Sequence, residues 1–481
     1  MCNSSFRAVF TVEIHRTSRG SSYASEVEMK SVLRFTALGA LILLSAVRLA
    51  FGASSPSNLA EYDLYFGNYQ LAPGHDIGIS RFIMDSGTPV VLMSDYQSGI
   101  VRRLFPVGPD EFVMGPGFNT ESPVYWRVRF NRDANGQVTG LTRQENDESP
   151  RFAHRIPLEE RAVTIKSNGR ATLAGTLMRQ RKPGLQPAII LLHGSGPLTR
   201  YSFGPYPHFF TSLGFAVLIF DKRGSGDSSG IRLDASTGAS APLPNAFYPD
   251  DLVADAAAVF QFLQQQEGID PRRIGVWGSS EGGMLTTQLA ARNKEVAFAI
   301  NSSGFVGPLW ETIFYQAGQS LKSQGYTEAQ AQEAWDFARL WMDVARTGAG
   351  YSEFEKRRDA VIRADKRWLL SYFSGEYESV EQMRWDWQHI LSFDSRTALA
   401  QVRCPVLGVF GEEDPLTQAQ VASQALMEGV SAGGNTDVTV RVFPRAGHSL
   451  SERPSGSRMT PGVFDTLRDW LRERVLAPGS P

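Results

Sequence analysis

Arg273-Ile-Gly-Val-Trp-Gly-Ser-Ser-Glu-Gly-Gly-Met284 reads as a buried strand that runs into a sharp turn and leaves it as a helix. Ser280 stands at the tip of the turn between Gly278 and Gly282, in the pattern G-x-S-x-G of a nucleophile elbow. A turn that holds a hydroxyl clear of a sheet needs flanking positions almost free of side chain, because neighbouring backbone closes on them; glycine has no Cβ. The pattern alone is weak, since Gly and Ser are common residues. Its surroundings strengthen it. Ile274, Val276 and Trp277 form a short apolar run after the turn at Asp270-Pro271, and Met284, Leu285 and Leu289 follow at helical spacing. Strand, turn and helix in that order are the context the motif requires.

Outward from the turn, strands and helices alternate. Pro187-Ala-Ile-Ile-Leu-Leu192 and Phe215-Ala-Val-Leu-Ile-Phe220 are near-continuous apolar runs, as expected of parallel strands buried on both faces. Between them and Ser280, residues Leu252, Ala256, Val259, Phe260 and Leu263 mark one face of a helix that Gly268 is placed to end. Further upstream, Arg161–Lys166 and Ala171–Met178 flank Asn168-Gly169 as an antiparallel hairpin. Downstream, Val296–Ile300 is one more strand, and the alternation then stops. It resumes with a strand at Pro405–Phe410, a helix around Gln418–Met427, a strand at Val438–Phe443 and a last helix from about Gly462 to Val475.

The interruption, residues 304–395, is far longer than an ordinary connection and reads as a helical cap inserted into the core. Thr327-x-x-Gln330 and Ser352-x-x-Glu355 are capping-box signals for two helices, and Gly348 closes the first. Six of the nine tryptophans fall here, at 310, 335, 341, 368, 385 and 387, with Phe314, Tyr315, Tyr351, Tyr372 and Phe373. At helical spacing such aromatics favour the subdomain's own core over the lining of a pocket.

A chain of 481 residues exceeds one compact core and predicts two or three domains. A net charge of −2 supplies no general attraction for nucleic acid or anionic membranes. Only Cys2 and Cys404 occur, so neither a disulfide framework nor a cysteine metal site is expected. Cys404, at the mouth of a buried strand, reads as a small core residue. Residues 1–53 read as an extension plus signal peptide: Met29-Lys30 is a second start, with a basic head (Lys30, Arg34), an apolar stretch from Phe35 to Val47, and small residues at Ala50, Gly52 and Ala53. Arg48 keeps the apolar run short, which favours a removed signal over a stable membrane anchor and predicts a periplasmic or secreted protein.

Residues 54–150 change to short extended runs broken by turns, a small all-β domain. Tyr125-Trp-Arg-Val-Arg-Phe130 alternates apolar and polar residues, and Asp133-Ala-Asn-Gly136 before Val138-Thr-Gly-Leu141 is a hairpin signal. The charged stretch Asn146–Pro157 reads as a linker. Core residues then occupy 151–303 and 396–481, on either side of the cap.

A serine hydroxyl is a poor nucleophile until a base takes its proton, and the base needs an orienting carboxylate. His448, in Arg445-Ala-Gly-His-Ser449 after the final strand, is the best-placed base. Phe410-Gly-Glu-Glu-Asp-Pro-Leu416 follows the penultimate strand, and Asp414 is its candidate acid with Glu413 as fallback. The order Ser280, Asp414, His448 is the one expected of an elbow serine. An oxyanion also needs donors. His193-Gly-Ser-Gly-Pro197 follows a buried strand, and the backbone N–H groups of Ser195 and Glu281 are the expected pair, with Gly196 as the neighbour to watch. His193 reads as a brace for that loop. Asp221-Lys-Arg-Gly-Ser-Gly-Asp-Ser228 has neither the P-loop nor the dinucleotide spacing and reads as a structural turn.

Taken together, His193-Gly-Ser-Gly-Pro197, Asp221-x-Arg-Gly-x-Gly-x-Ser228, Gly278-x-Ser280-x-Gly282, Asp414 and His448 resemble the α/β-hydrolase family from about Arg161 to Val475. The resemblance implies a mainly parallel eight-stranded sheet, a Ser280–His448–Asp414 triad, an acyl-enzyme intermediate, and neither cofactor nor metal. Its wording is similar to bacterial esterases, acyl thioesterases and serine aminopeptidase-type enzymes without choosing among them. The small β domain, through Tyr65-Phe-Gly-Asn-Tyr69, Arg103-Leu-Phe-Pro106 and Asn135-Gly-Gln-Val-Thr-Gly140, resembles lipocalin-like modules attached to bacterial serine hydrolases and penicillin-recognising enzymes. The expected function is hydrolysis of carboxylic esters, with a peptide or thioester as alternative substrate. A non-enzymatic envelope ligand-binding protein with a vestigial core is the remaining alternative. The expected partner is a small-molecule ester or peptide; oligomeric state is not legible.

Overall fold

The computed structural model describes residues 57–84, 87–146, 148–168, 170–232, 248–372 and 379–476. The signal-like segment, Gly169 and Phe373 lie outside the described residues.

Eight short antiparallel strands come first: β1 (Gly67–Ala72), β2 (His75–Ile83), β3 (Pro89–Asp95), β4 (Val101–Gly108), β5 (Glu111–Met114), β6 (Trp126–Arg132), β7 (Val138–Glu145) and β8 (Arg151–Ile156). They close into a barrel, because β1 pairs with both β2 and β8. In β6 the alternation is realised directly, with Trp126, Val128 and Phe130 buried and Arg127 and Arg129 exposed. The inward residues, among them Tyr69, Ile79, Met93, Phe112 and Leu141, fill the barrel with side chains. The stretch read as a linker contains β8. Its polar residues face outward while Ala153 is buried, and pairing of Asn68–Gln70 with His154–Ile156 closes the barrel. A partner some ninety residues upstream leaves no local mark on so polar a segment.

The second sheet holds β9 (Leu158–Ser167), β10 (Ala171–Gln180), β11 (Gln186–Leu192), β12 (Ala216–Phe220), β13 (Ile269–Ser279), β14 (Ala299–Ser302), β15 (Val406–Gly411) and β16 (Val438–Phe443). Among the described residues it is eight-stranded, in the order β16-β15-β14-β13-β11-β12-β10-β9. It is parallel except for the β9–β10 hairpin and the β10–β12 pair. The helices, in chain order, are α1 (Tyr206–Ser212), α2 (Asp250–Gln264), α3 (Glu281–Arg292), then α4 (Leu309–Ser323), α5 (Glu328–Thr347), α6 (Tyr351–Arg363) and α7 (Val380–Ser392), and finally α8 (Ala419–Ala432) and α9 (Val463–Leu471). Alternate residues of β11 feed opposite cores. Ala188, Ile190 and Leu192 pack with α2 and α3, whereas Ile189 and Leu191 pack with α1 and α9. A strand covered on both faces must be apolar throughout, which is why these strands read as unbroken runs.

Helices α4 to α7 lie between β14 and β15. Thr327 caps α5 through a reciprocal box with Gln330, and Gly348 ends that helix in the left-handed conformation at φ 77°. Ser352 does not cap α6. That helix starts one residue earlier, at Tyr351, from Gly350 at φ 78°. The aromatics pack mainly on one another: Trp341 meets Trp387 at 3.9 Å and Phe314 meets Trp335 at 4.9 Å between ring centroids.

The barrel docks against the α1 and α9 side of the sheet. Tyr96 stacks edge-on against Phe209 and Phe464, and its hydroxyl donates to the Pro205 carbonyl at 3.0 Å. Asn68, fully buried, donates to the His208 carbonyl and to Thr211 Oγ1, both at 3.0 Å.

Candidate active site

Ser280 links β13 to α3 with φ 59° and ψ −123°, a left-handed conformation that a serine adopts only under constraint. The constraint is visible on both sides. A Cβ on Gly278 would come within 2.2 Å of the Gly282 carbonyl oxygen, and one on Gly282 within 2.2 Å of the Leu192 carbonyl oxygen. The glycines therefore let the turn close on itself and on the end of β11. The Ser280 N–H donates to the Ser302 carbonyl at 2.9 Å, tying the turn to the end of β14.

Since β13, β14, β15 and β16 are neighbouring parallel strands, the loops that follow them emerge along one edge of the sheet. Asp414 lies after β15, 2% exposed, while Glu412 and Glu413 beside it face solvent. His448 lies after β16. Its Nδ1 is 2.7 Å from Asp414 Oδ2. An ionised carboxylate only accepts, so Nδ1 carries the proton and Nε2 is left as the acceptor. The other oxygen, Asp414 Oδ1, accepts the N–H groups of Leu416 at 2.7 Å and Thr417 at 3.0 Å. The structure thus joins the predicted acid to the predicted base, on loops that leave β15 and β16 along the same sheet edge as the Ser280 turn at the end of β13.

Several residues that the sequence did not single out connect these parts. Ser303, buried and at φ 53°, donates its N–H to the Val409 carbonyl at 2.8 Å, and its own carbonyl accepts Thr417 Oγ1 at 2.8 Å. The end of β14 therefore bridges the Ser280 turn and the Asp414 turn. From the inserted helices, Tyr315 donates to the Asp414 carbonyl at 2.9 Å and Gln316 to the Leu416 carbonyl at 3.0 Å. Tyr315 stood out in sequence only as one aromatic among many.

The glycine-rich loop after β11 lies against the nucleophile turn: a Cβ on Gly194 would be 3.3 Å from Ser280 Cβ. The Ser195 hydroxyl donates to Glu281 Oε2 at 3.2 Å, so the two predicted oxyanion donors belong to adjoining segments. Glu281 is 1% exposed and its other oxygen receives Lys222 Nζ at 2.5 Å, while the same ammonium donates to the Gly194 carbonyl at 3.1 Å. His193 is buried, with Nε2 3.2 Å from the Thr199 carbonyl. Burial, reinforced by the Lys222 cation, pulls its pKa down to about 3, which keeps the imidazole neutral. The turn Asp221–Ser228 is held by Arg200 on Asp221 and by Arg223, doubly bonded at 2.6 Å to Asp255. Cys404, whose thiol burial pushes up to about 12, is poorly suited to act as a nucleophile. Among the described residues, no cluster of three or more His, Cys, Asp or Glu side chains is assembled to hold a metal ion, and no helix is long and apolar enough to cross a membrane.

The model of the alpha/beta hydrolase family matches residues 189–456, more than half of the chain. The chain belongs to that family. An uncharacterized 31.7 kDa protein of Escherichia coli is 34% identical to this α/β hydrolase over 250 residues, 51% of this chain and 79% of the relative. A thiohydrolase of Aspergillus aculeatus is 30% identical over 128 residues, 27% of this chain and 36% of its own. An esterase of Thermotoga maritima is 29% identical over 174 residues, 34% of this chain and 37% of its own. The family match starts within β11, leaving the barrel of this α/β hydrolase outside it.

Proposed function

We propose that this α/β hydrolase is a serine esterase that cleaves small or medium carboxylic esters through an acyl-enzyme. Ser280 Oγ attacks the carbonyl carbon while His448 Nε2 takes the hydroxyl proton, and Asp414 steadies the imidazolium that forms. The carbonyl π-electrons move to oxygen, and the resulting oxyanion is received by the backbone N–H groups of Ser195 and Glu281. Collapse breaks the bond to the leaving alkoxide, which takes the proton from His448; water then repeats the sequence on the acyl-Ser280 ester and releases the acid. The observation that carries this reading is the 2.7 Å bond between His448 Nδ1 and buried Asp414, on the sheet edge where Ser280 sits in its strained turn. Kinship with an esterase and a thiohydrolase supports the acyl-transfer class.

The test is turnover of a chain-length series of p-nitrophenyl esters beside aminoacyl p-nitroanilides and acyl thioesters, with Ser280→Ala as control. Ester turnover lost in the variant is the expected result. Turnover of anilides alone would move the assignment to an aminopeptidase, turnover of thioesters alone to a thioesterase, and failure of a fluorophosphonate to label the wild-type chain would favour a binding protein. We further propose that the protein works outside the cytoplasm after removal of the segment headed by Met29-Lys30. The amino-terminal sequence of the exported protein tests that.

A further inference from the structure

We propose that Lys222 and Glu281 form a buried positioning pair that aims the oxyanion donors at the substrate carbonyl. This rests on the serine-hydrolase reading above and assigns a function to two residues that the triad does not use. Lys222 is 3% exposed and Glu281 1% exposed. A buried ion pair of this kind rarely adds net stability, because stripping water from both charges offsets their attraction. Its value must be sought in what it holds in place.

It holds both halves of the oxyanion site. Lys222 Nζ donates to the Gly194 carbonyl at 3.1 Å, and that carbonyl shares a peptide plane with the Ser195 N–H. A trans peptide is rigid, so its C=O and N–H point to opposite sides. Anchoring the Gly194 oxygen on the ammonium therefore turns the Ser195 N–H to the side away from Lys222. A cation on the carbonyl also polarises the amide and makes that N–H a stronger donor. Across the pair, Glu281 receives Lys222 at 2.5 Å through one oxygen and the Ser195 hydroxyl at 3.2 Å through the other. Glu281 is the first residue of α3, directly after Ser280, so its tethered side chain locks the second donor to the first. Closeness of the loop to the nucleophile, with a Gly194 Cβ position only 3.3 Å from Ser280 Cβ, leaves little slack in this arrangement.

The test is the double substitution Lys222→Met/Glu281→Gln in the full chain, which removes both charges together. Losing one aimed donor predicts a fall in kcat of about a hundredfold with KM changed by less than about threefold. Affinity for a trifluoromethyl ketone, whose adduct carries an oxyanion, falls by a similar factor, while a fluorophosphonate still labels Ser280 to completion. An unchanged kcat with only a lowered melting temperature would reduce the pair to a structural role and overturn the proposal. Should the double variant fail to fold, Glu281→Gln removes the negative charge, keeps one acceptor oxygen for Lys222 and turns an NH2 donor toward the Ser195 hydroxyl, which can no longer donate to this side chain. A loss of kcat at constant KM in that variant supports the proposal, and wild-type kcat overturns it. A wild-type chain that no fluorophosphonate labels would instead remove the serine-hydrolase reading, an outcome separate from a labelled enzyme indifferent to these substitutions.

Discussion

Replacement of Asp414 by asparagine tests the site through a single proton. Asp414 Oδ1 faces two backbone donors, the N–H groups of Leu416 and Thr417, while Oδ2 faces His448 Nδ1 at 2.7 Å. An asparagine must keep its carbonyl oxygen toward the two N–H groups, because the reverse orientation would set its amide hydrogens against theirs in a site that is 2% exposed. Its NH2 is then left facing His448. That group only donates, so Nδ1 must become the acceptor and the imidazole proton moves to Nε2, where it can no longer receive the Ser280 proton. The substitution is nearly isosteric and keeps both backbone hydrogen bonds, so the loss falls on chemistry rather than on folding. The wrong tautomer in such a triad lowers kcat by about 10⁴-fold, or roughly 5.5 kcal/mol of barrier. Steady-state hydrolysis of the best p-nitrophenyl ester, with thermal unfolding of the same samples, measures both quantities. A folded Asp414→Asn protein that retains more than about a tenth of wild-type kcat would refute the reasoning. Glu413→Gln, at an exposed neighbour, serves as the control and is expected to leave kcat unchanged.

Gly282→Ala is expected to destabilise the chain by about 3 kcal/mol or more, because the new Cβ would sit 2.2 Å from one backbone carbonyl oxygen and 2.6 Å from another, neither at the end of a flexible side chain; urea unfolding reads this, and a shift below about 1 kcal/mol would show that the elbow is looser than described. Acid should weaken the fold through its buried neutral histidines. Burial lowers the pKa of His193 to about 3 and of His208 to about 4, whereas in the unfolded chain both titrate near the ordinary value of 6.5. The unfolded state takes up protons first, so stability is complete above about pH 7 and is lost as pH falls from about 6.5 toward the folded values, at about 2 kcal/mol per histidine by pH 5. The urea midpoint at pH 5 should therefore lie well below that at pH 7.5, and His208→Gln should shallow the pH dependence; an unaltered slope would count against it.

Much of the site was legible because its signals are local. The elbow needs glycine on both sides of Ser280, and a backbone that approaches to 2.2 Å explains that need. Chain order and positions after apolar runs single out His448 and Asp414 as candidates, and those runs form β16 and β15. The Thr327–Gln330 box and Gly348 were also readable, since a cap is a conversation among neighbours in sequence. Ser352-x-x-Glu355 misled because the same residues occur inside a helix whose start Gly350 had already provided. Lys222 lies inside a turn whose sequence reads as structural, for nothing in Asp221-Lys-Arg-Gly distinguishes a lysine that will be buried from one that will be solvated.

From its residues alone, this chain specifies a strand-turn-helix around Ser280, the alternation of buried strands and amphipathic helices, and the chain order Ser280, Asp414, His448 of the candidate nucleophile, acid and base. Those features depend on backbone sterics and on side-chain periods of two and 3.6 residues, which act over a few positions. Folding in three dimensions selected the rest: closure of β8 on β1, the bridge that Ser302 and Ser303 make between the Ser280 and Asp414 turns, the hold of Tyr315 on the Asp414 carbonyl, and the Lys222–Glu281 pair. Each joins residues far apart in the chain, and a polar side chain declares whether it will meet water or a distant partner only when burial removes the water.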